Sequence, residues 1–487
     1  MLKIALLGDL HLPFCENAVQ YQALEFSIKS INENNPDVIV SLGDITACGD
    51  INAAEIFLAK MKLISKPRLM VLGNSDIRNK ETLEKIKILE ENYDINLRGI
   101  RLVGINNADG IIHSDDRKRL LSIDNNTILF MHRPQNDLVS ESAEFFDKCC
   151  KENKPLAIVC GHLHFFKKIE NNYLIQALDP DKAIGEPPCV TYMLIDGKDI
   201  SFEFDYFPFS LPTDIKDYLG LSCFNWFEDI PFAADNGIKN IELRPGVIRC
   251  DVDLLIEKIR YFREKGGNYV SLHMPDFGYN GEITGAYEWE EAIKLANILN
   301  VDGVTVHVPM ASVEDMQGSA KKIILDFVCE KLSKLSSNCK IGIENMHMTK
   351  ADTPDNHRRY GYTPYECLEF ISCINAVLGN DRVGALLDVG HARNNAPFSQ
   401  KYNLGAWYSI IGKKTVAYHI HQVILTEKDM ENHCKIDNLY GPLISYVGFF
   451  SCWNNGILNK APIFLEIRGG KKEYIPTIKT FLSDNIQ

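Results

Sequence analysis

No apolar run in this 487-residue chain approaches the roughly 20 residues that a membrane-spanning helix needs. Its first residues read as a core strand, without the basic start and small-residue cleavage site of a secretory leader. The expectation is a cytoplasmic protein with no membrane partner. Fourteen cysteines are present, but none stand in Cys-x-x-Cys spacing, and several fall in apparent core segments. They read as small buried hydrophobes in a reducing compartment, not as a disulfide framework. The adjacent pair Cys149-Cys150, on an expected helix, carries no functional assignment. A basic face is also missing. The net charge of −13 is shared, −6 over residues 1–200 and −7 over residues 201–487. That argues against nucleic acid as a partner, although clustered metal-binding acids inflate the negative count. Low-complexity tracts, heptads and short repeats are absent. A content of 45% hydrophobic and 24% charged residues fits a soluble globular protein, and the length predicts two or three domains.

What is present is a series of short apolar runs that end in polar residues. Residues 4–7 lead into Gly8-Asp9-Leu10-His11, where period-2 spacing places Asp9 and His11 on one face. Residues 38–42 lead into Gly43-Asp44, and residues 68–72 into Gly73-Asn74-Ser75-Asp76. Residues 127–131 end at His132, and residues 156–160 at Gly161-His162-Leu163-His164. Helical stretches at 18–33 and 53–63 separate the early runs, which predicts an α/β sheet with ligands beyond the carboxyl ends of its strands. A single histidine at a strand end is unremarkable, but five such ends in order are hard to obtain by chance. Residues 191–204 read as a closing hairpin. Pro208 and Pro212 then break the pattern, so the first domain is expected over 1–207 and a linker over 208–215.

Asp-x-His, Gly-Asp, Gly-Asn-x-Asp, a lone His and Gly-His-x-His, in that order, resemble the calcineurin-like metallophosphoesterases. The resemblance implies that Asp9, His11 and His164 hold one divalent cation, that Asn74, His132 and His162 hold a second, and that Asp44 bridges them. Such a pair clamps a phosphoryl group and activates water near neutral pH. Mixed carboxylate and imidazole ligands suit Mn, Fe, Zn or Ni. Many relatives carry a histidine after Gly-Asn to protonate the leaving oxygen. Here Ser75 stands there, and serine is no acid at neutral pH. Either the proton comes from elsewhere or the leaving group is a good one. The short phosphodiesterase branch, with a small residue followed by Asp, is the nearer match. Asp76 is then a catalytic candidate, a helix cap, or both.

From residue 220 the rhythm is strand then helix, eight times. Strands are expected at 220–226, 238–244, 269–273, 303–308, 340–345, 383–389, 416–421 and 463–467. Helices are expected at 252–265, 288–299, 320–335, 365–378 and 475–482. This predicts a (β/α)8 TIM barrel over 216–487, with an open doubly wound sheet as the alternative. His273, His307, Glu344, Asp388, His391, His419, His421 and Glu466 all fall at the carboxyl ends of these strands. Converging there, they make a metal-site constellation.

Leu387-Asp388-Val389-Gly390-His391-Ala392 is the piece that most resembles the xylose-isomerase-like barrels, a superfamily that also contains endonuclease IV. The resemblance implies a main cation, Zn or Mn, on Glu344, Asp388, one of His419 and His421 (His421 being preferred) and Glu466. In isomerising relatives the two glutamates also act as acid and base. The extra histidines His273, His307 and His391 match those of a three-zinc phosphodiesterase site, so one to three cations are expected. The Glu431-Asn432-His433-Cys434 stretch departs from that enzyme's pattern. His433 is a possible ligand and the third cation is left open. Arg244 and Arg468 either hold a phosphate or carboxylate or pair with Glu242 or Glu466, the pairing being preferred. Residues 349–359 are expected to form a long loop at the mouth, either a lid or a segment disordered when the site is empty.

The expected function is a bifunctional metalloenzyme. A dinuclear phosphoesterase, preferentially a phosphodiesterase using Asp44, Asn74, Asp76 and His132, is joined to a barrel hydrolase using Glu344 and Glu466. The substrate class is a small phosphorylated sugar-like or nucleotide-like molecule. Two alternatives stand beside it, a phosphatase fused to a sugar isomerase or epimerase, and a phosphoesterase whose barrel only binds. The oligomeric state is open.

Overall fold

The computed structural model describes residues 1–87, 93–348, 360–396, 398–427 and 430–482. The expected loop, 349–359, lies outside the described residues. The chain forms two units, Met1–Phe209 with Tyr440–Gly448, and Ser210–Leu439 with Phe449–Gln487. The segment 440–448, which follows the barrel's seventh strand in sequence, therefore groups with the first unit.

In the first unit the apolar runs become strands of two sheets. The five-stranded sheet runs in the order Asp199–Tyr206, Cys189–Asp196, Leu2–Leu7, Val38–Ser41, Arg68–Met70, and the last three strands are mutually parallel. The six-stranded sheet runs Asp94–Leu97, Ile100–Ile105, Thr127–Met131, Ala157–Cys160, Asn172–Leu174, Lys167–Ile169. Its four inner strands are also parallel. The two sheets face each other across one core containing Leu6, Val40 and Leu69 from one and Leu102, Phe130 and Val159 from the other. The outer face of the second sheet buries Val103, Leu129 and Met131 with Leu120 and Phe146 of the helices Ser114–Leu121 and Ser140–Asn153. This is the expected sandwich of sheets flanked by helices. Parallel strands buried on both faces read as unbroken apolar runs, which is why they are visible in sequence. The antiparallel strands Asp94–Leu97 and Lys167–Ile169 alternate or are polar, and the sequence pattern does not mark them.

The second unit closes eight parallel strands into a barrel: Leu219–Cys223, Asn240–Leu243, Tyr269–His273, Gly303–His307, Lys340–Glu344, Val383–Asp388, Thr415–Ile420 and Ile463–Leu465. The eighth pairs with the first, which excludes the open sheet. Helices follow the strands with side-chain caps where the sequence supplies them. Asp251 caps Val252–Glu264, Thr363 and Glu366 form a capping box on Pro364–Leu378, and Asp388 caps Val389–Arg393.

Two candidate metal centres

In the first unit the parallel strands of both sheets deliver their last residues to one place. Asp9 and His11 follow Leu2–Leu7, Asp44 follows Val38–Ser41 and Asn74 follows Arg68–Met70, while His132, His162 and His164 come from the second sheet. Period-2 geometry is not what brings Asp9 and His11 together. The strand stops at Leu7, and both residues are left-handed, with φ 50° and 49°. Asp44, His162 and His164 are left-handed too, at 50°, 73° and 64°. For a non-glycine residue this conformation costs about 1–2 kcal/mol, and five such residues in one site mark strain held for function.

The donor atoms fall into two sets with Asp44 between them. Asp9, His11 and His164 form one set; Asp44, His132 and His162 form the other. Asp44 Oδ2 lies 3.1 Å from His11 Nε2, and Oδ1 lies 3.5 Å from His132 Nε2. His132 Nδ1 donates to the Leu42 carbonyl at 2.8 Å, so its Nε2 carries a lone pair. That lone pair faces Asn74 Oδ1 at 3.1 Å and His162 Nδ1 at 3.1 Å. One amide oxygen and two imidazole nitrogens converging on one place fit a cation. Gly73 packs so tightly on Asp44 that a Cβ would sit 2.1 Å from Oδ1. Burial pushes the Asp44 carboxyl up, but His132 and His11 outweigh it and hold it well below the ordinary range. Burial pushes Asp9 up to about 6. Burial, then His132 and Arg133, push His162 down to about 3, keeping the ring neutral.

Ser75 and Asp76 both make structural contacts at this site. Ser75 donates its backbone N–H to Asp44 Oδ1 at 2.7 Å, and its side chain makes no cap. Asp76 is fully buried and accepts from Thr46 N, Thr46 Oγ1, Gly73 N and Ile45 N. Its carboxylate ties two ligand loops together. Sequence reasoning missed Asp179, whose Oδ2 lies 3.3 Å from His11 Nδ1, and the buried Gln20, which bridges Asp179 and Asp181 at 2.9 and 2.8 Å. Nothing local marks either residue.

In the barrel, the carboxyl ends present three overlapping sets: Glu344, Asp388, His419 and Glu466; His273, His307 and Glu344; and His391, His421 and His433. The structure thus brings His419 to the first set and groups the preferred His421 with His391 and His433, although His421 Nε2 is also 3.2 Å from Asp388 Oδ1. Gly390 makes room for that ring, since a Cβ there would lie 1.9 Å from His421 Cε1. Glu344 joins two sets. Oε2 faces His273 Nε2 at 3.3 Å and His307 Nε2 at 3.2 Å, and Oε1 faces His419 Nδ1 at 3.3 Å. His273 Nδ1 donates to the Met274 carbonyl at 2.9 Å, and His307 Nδ1 to Asp276 at 2.5 Å. Both Nε2 atoms therefore aim lone pairs at a carboxylate oxygen. His273 Nε2, Glu344 Oε2, Asp388 Oδ2, His433 Nδ1 and Glu466 Oε2 are buried without a well-formed hydrogen bond among the described residues. Such orphans fit divalent cations.

Burial raises the Glu344 carboxyl, but His419 and His307 outweigh it and hold it well below the usual range. Glu466 behaves alike, with Arg244 the largest opposing cause. Burial pushes His391 down to about 3 and His433 to about 4. Arg244 pairs with Glu466 at 2.7 Å and Glu242 at 3.6 Å, the expected pairing. Arg468 is exposed and meets the site through its backbone N–H, which donates to the His433 carbonyl. Asp276 is the missed residue here, and Glu242, expected only as a partner for an arginine, has further contacts. Glu242, fully buried on the second strand, accepts from His419 Nε2 at 2.8 Å and from Ser222 Oγ at 3.0 Å.

Residues 2–166 match the family model of the calcineurin-like phosphoesterases. The first unit is a metallophosphoesterase domain. The second is a closed eight-stranded TIM barrel. Solved structures similar to the chain include a dimetal phosphatase from Danio rerio, 12% identical, covering 42% of this chain and 95% of its own, with a TM-score of 0.33. D-psicose 3-epimerase from Clostridium cellulolyticum H10 is 10% identical over 54% of this chain and 96% of its own, TM-score 0.37. A xylose isomerase domain protein from Planctomyces limnophilus is 12% identical over 54% and 93%, TM-score 0.36. No curated protein sequence matches the chain.

Proposed function

We propose that the chain is a bifunctional hydrolase, a dinuclear phosphodiesterase joined to a multinuclear barrel that cleaves a phosphorylated sugar-like or nucleotide-like substrate. One recurring observation carries this reading. In each unit a single buried carboxylate, Asp44 or Glu344, presents its two oxygens to two different ligand sets. Divalent cations in such sets supply Lewis acidity and an activated water for in-line attack on phosphorus. The residues do the rest. Asp9, His11, Asp44, Asn74, His132, His162 and His164 hold the first pair. The left-handed backbone fixes their directions, and Asp179 keeps the His11 ring oriented.

Isomerase chemistry in the barrel fits less well. An acid–base glutamate must take and return a proton, whereas Arg244 and His419 flank Glu466 and hold it ionised. Glu344 lies 3.2 to 3.4 Å from nitrogens of four histidines. These surroundings support reading both carboxylates as permanent ligands. The test compares Asp44→Ala and Glu344→Ala in the full chain on bis(4-nitrophenyl) phosphate and on a panel of sugar phosphates, with metal content measured beside rate. Asp44→Ala should abolish cleavage of the diester. Retained diesterase activity would refute the first assignment, and sugar-phosphate isomerisation lost in Glu344→Ala would refute the second.

A further inference from the structure

Ser75 is no acid at neutral pH and Asp76 is taken up by structural hydrogen bonds, and the structure puts a different group at the rim of the phosphoesterase site. Arg133 follows the ligand His132 directly. The fully buried Asn107 holds this pair of residues by three bonds: its Oδ1 accepts from His132 N and Arg133 N, both at 3.1 Å, and its Nδ2 donates to Arg133 O at 2.7 Å. The guanidinium is anchored in turn, with Nε donating to the Ala108 carbonyl at 2.9 Å. From there Nη1 reaches to 3.4 Å from His162 Nε2.

That last contact is informative because of what the other edge of the ring does. His162 Nδ1 faces His132 Nε2 inside the second ligand set. A neutral imidazole that gives its Nδ1 lone pair to a cation carries its proton on Nε2. Nε2 then carries the proton, with Asp137 Oδ2 3.6 Å away, outside hydrogen-bond distance. So protonated, it cannot accept from Arg133. With the site loaded, the Nη1 protons of Arg133 are released, and Nη2 has no protein partner among the described residues. A pre-anchored, permanently charged fork one imidazole width from the cations matches the geometry of a phosphate.

Resting on the dinuclear reading above, we propose that Arg133 binds the anionic leaving group, and that the substrates of this site are phosphoanhydrides, diesters of diphosphate, in preference to alkyl phosphodiesters. An alkoxide must be protonated as it leaves, whereas a phosphate monoester leaves as a stable anion. In the step, a water oxygen bonds to phosphorus and the P–O bond to the second phosphate breaks. The electron pair departs with that phosphate onto Arg133. One water proton stays on the new phosphate monoester and the other goes to solvent. Arginine stabilises the charge but donates no proton in this step, being ionised at all working pH values. This reconciles Ser75 with an otherwise complete ligand set.

The full chain, loaded with Mn2+, would be assayed on a series of methyl aryl phosphates of graded leaving-group pKa, on P1,P2-dimethyl diphosphate and on dimethyl phosphate. Without proton donation the rate on the aryl series should fall steeply, by roughly tenfold per unit of leaving-group pKa. The diphosphate diester should be cleaved and dimethyl phosphate left intact. Arg133→Ala should cost about 100-fold in kcat/KM on the diphosphate diester, at least ten times more than on the 4-nitrophenyl ester. Arg133→Lys should restore only part. Calorimetry with methylenediphosphonate gives a readout independent of turnover, and its binding should weaken in Arg133→Ala while Mn content and melting temperature match the parent. A shallow leaving-group dependence, no cleavage of the diphosphate diester by the Mn-loaded parent, equal losses on both substrates, or unchanged diphosphonate binding would each overturn the proposal. Asp44→Ala separates the two failures. If it keeps the parent rates, the dinuclear reading is wrong; if it abolishes them while the leaving-group dependence is shallow, only the Arg133 inference falls.

Discussion

Arg244 places Nη1 2.7 Å from Oε1 of Glu466, while Oε2 of the same carboxylate lies 2.8 Å from His419 Nδ1. The pair uses one oxygen for an internal cation and leaves the other to the ligand set. Removing the guanidinium takes away the largest cause that opposes burial, so the Glu466 carboxyl rises and protons compete better with metal. In Arg244→Gln the barrel should therefore lose its cations at a higher pH than the parent, while the content of the phosphoesterase unit stays level. Metal content per chain after dialysis across pH 5–8 reads this directly. Identical release curves would mean that Arg244 serves the rim and not the ligand.

Glu242 acts one step further back. It accepts from His419 Nε2, which leaves Nδ1 as the nitrogen that faces Glu344, Asp388 and Glu466. Losing such an outer carboxylate costs roughly 10–100-fold in metal affinity. Glu242→Gln should weaken barrel metal binding by that order in a competition titration with a chromophoric chelator. Two observations would count against it: unaltered affinity, or a metal-free protein that melts far below the parent.

The residues that converge at the two candidate centres were legible in sequence because most of them sit at the end of an apolar run, and parallel strands buried on both faces announce themselves. The conformations were not. Alternation suggested that Asp9 and His11 share a strand face, whereas both lie beyond the strand in the left-handed region, where the loop and not the pleat sets their direction. His419 and His421 share a strand face in sequence, yet their neighbours assign them to different sets. Asp179, Gln20, Glu242 and Asp276 are lone polar residues in ordinary surroundings. What gives them roles is contact with a partner tens of positions or more away, buried for Asp179, Gln20 and Glu242 and exposed for Asp276, which no local pattern encodes.

Asp76 offers a test between chemistry and architecture. Its carboxylate accepts three backbone N–H groups and one hydroxyl across the Asp44 and Asn74 loops. Replacing it by leucine would strand those donors, at about 1–3 kcal/mol for each buried group left unsatisfied. Asp76→Asn keeps one acceptor and should destabilise less. Both variants should melt lower than the parent, with the pH optimum of the remaining activity in place. A parent-like melting curve with a collapsed kcat would instead make Asp76 the missing acid.

Two histidines of the barrel, His391 and His433, weaken the metal-free protein in acid. Burial pushes His391 down to about 3 and His433 to about 4 from an ordinary value of 6.5. Their folded pKa lies below the unfolded one, so between these values the unfolded chain binds more protons and stability rises with pH. The contribution is complete above pH 6.5 and is lost as pH falls toward the folded values, by about 1.4 kcal/mol per pH unit for each histidine while it remains neutral in the fold. In EDTA the melting temperature of the parent should fall further between pH 6.5 and pH 4 than that of a variant lacking one of these two rings. Saturating Zn2+ should raise it most near neutrality, where the neutral rings bind cations without first losing a proton. His391→Gln and His433→Gln should each flatten the acid slope. Equal falls for parent and variants in EDTA between pH 6.5 and pH 4 would show that these rings are not buried in the neutral form.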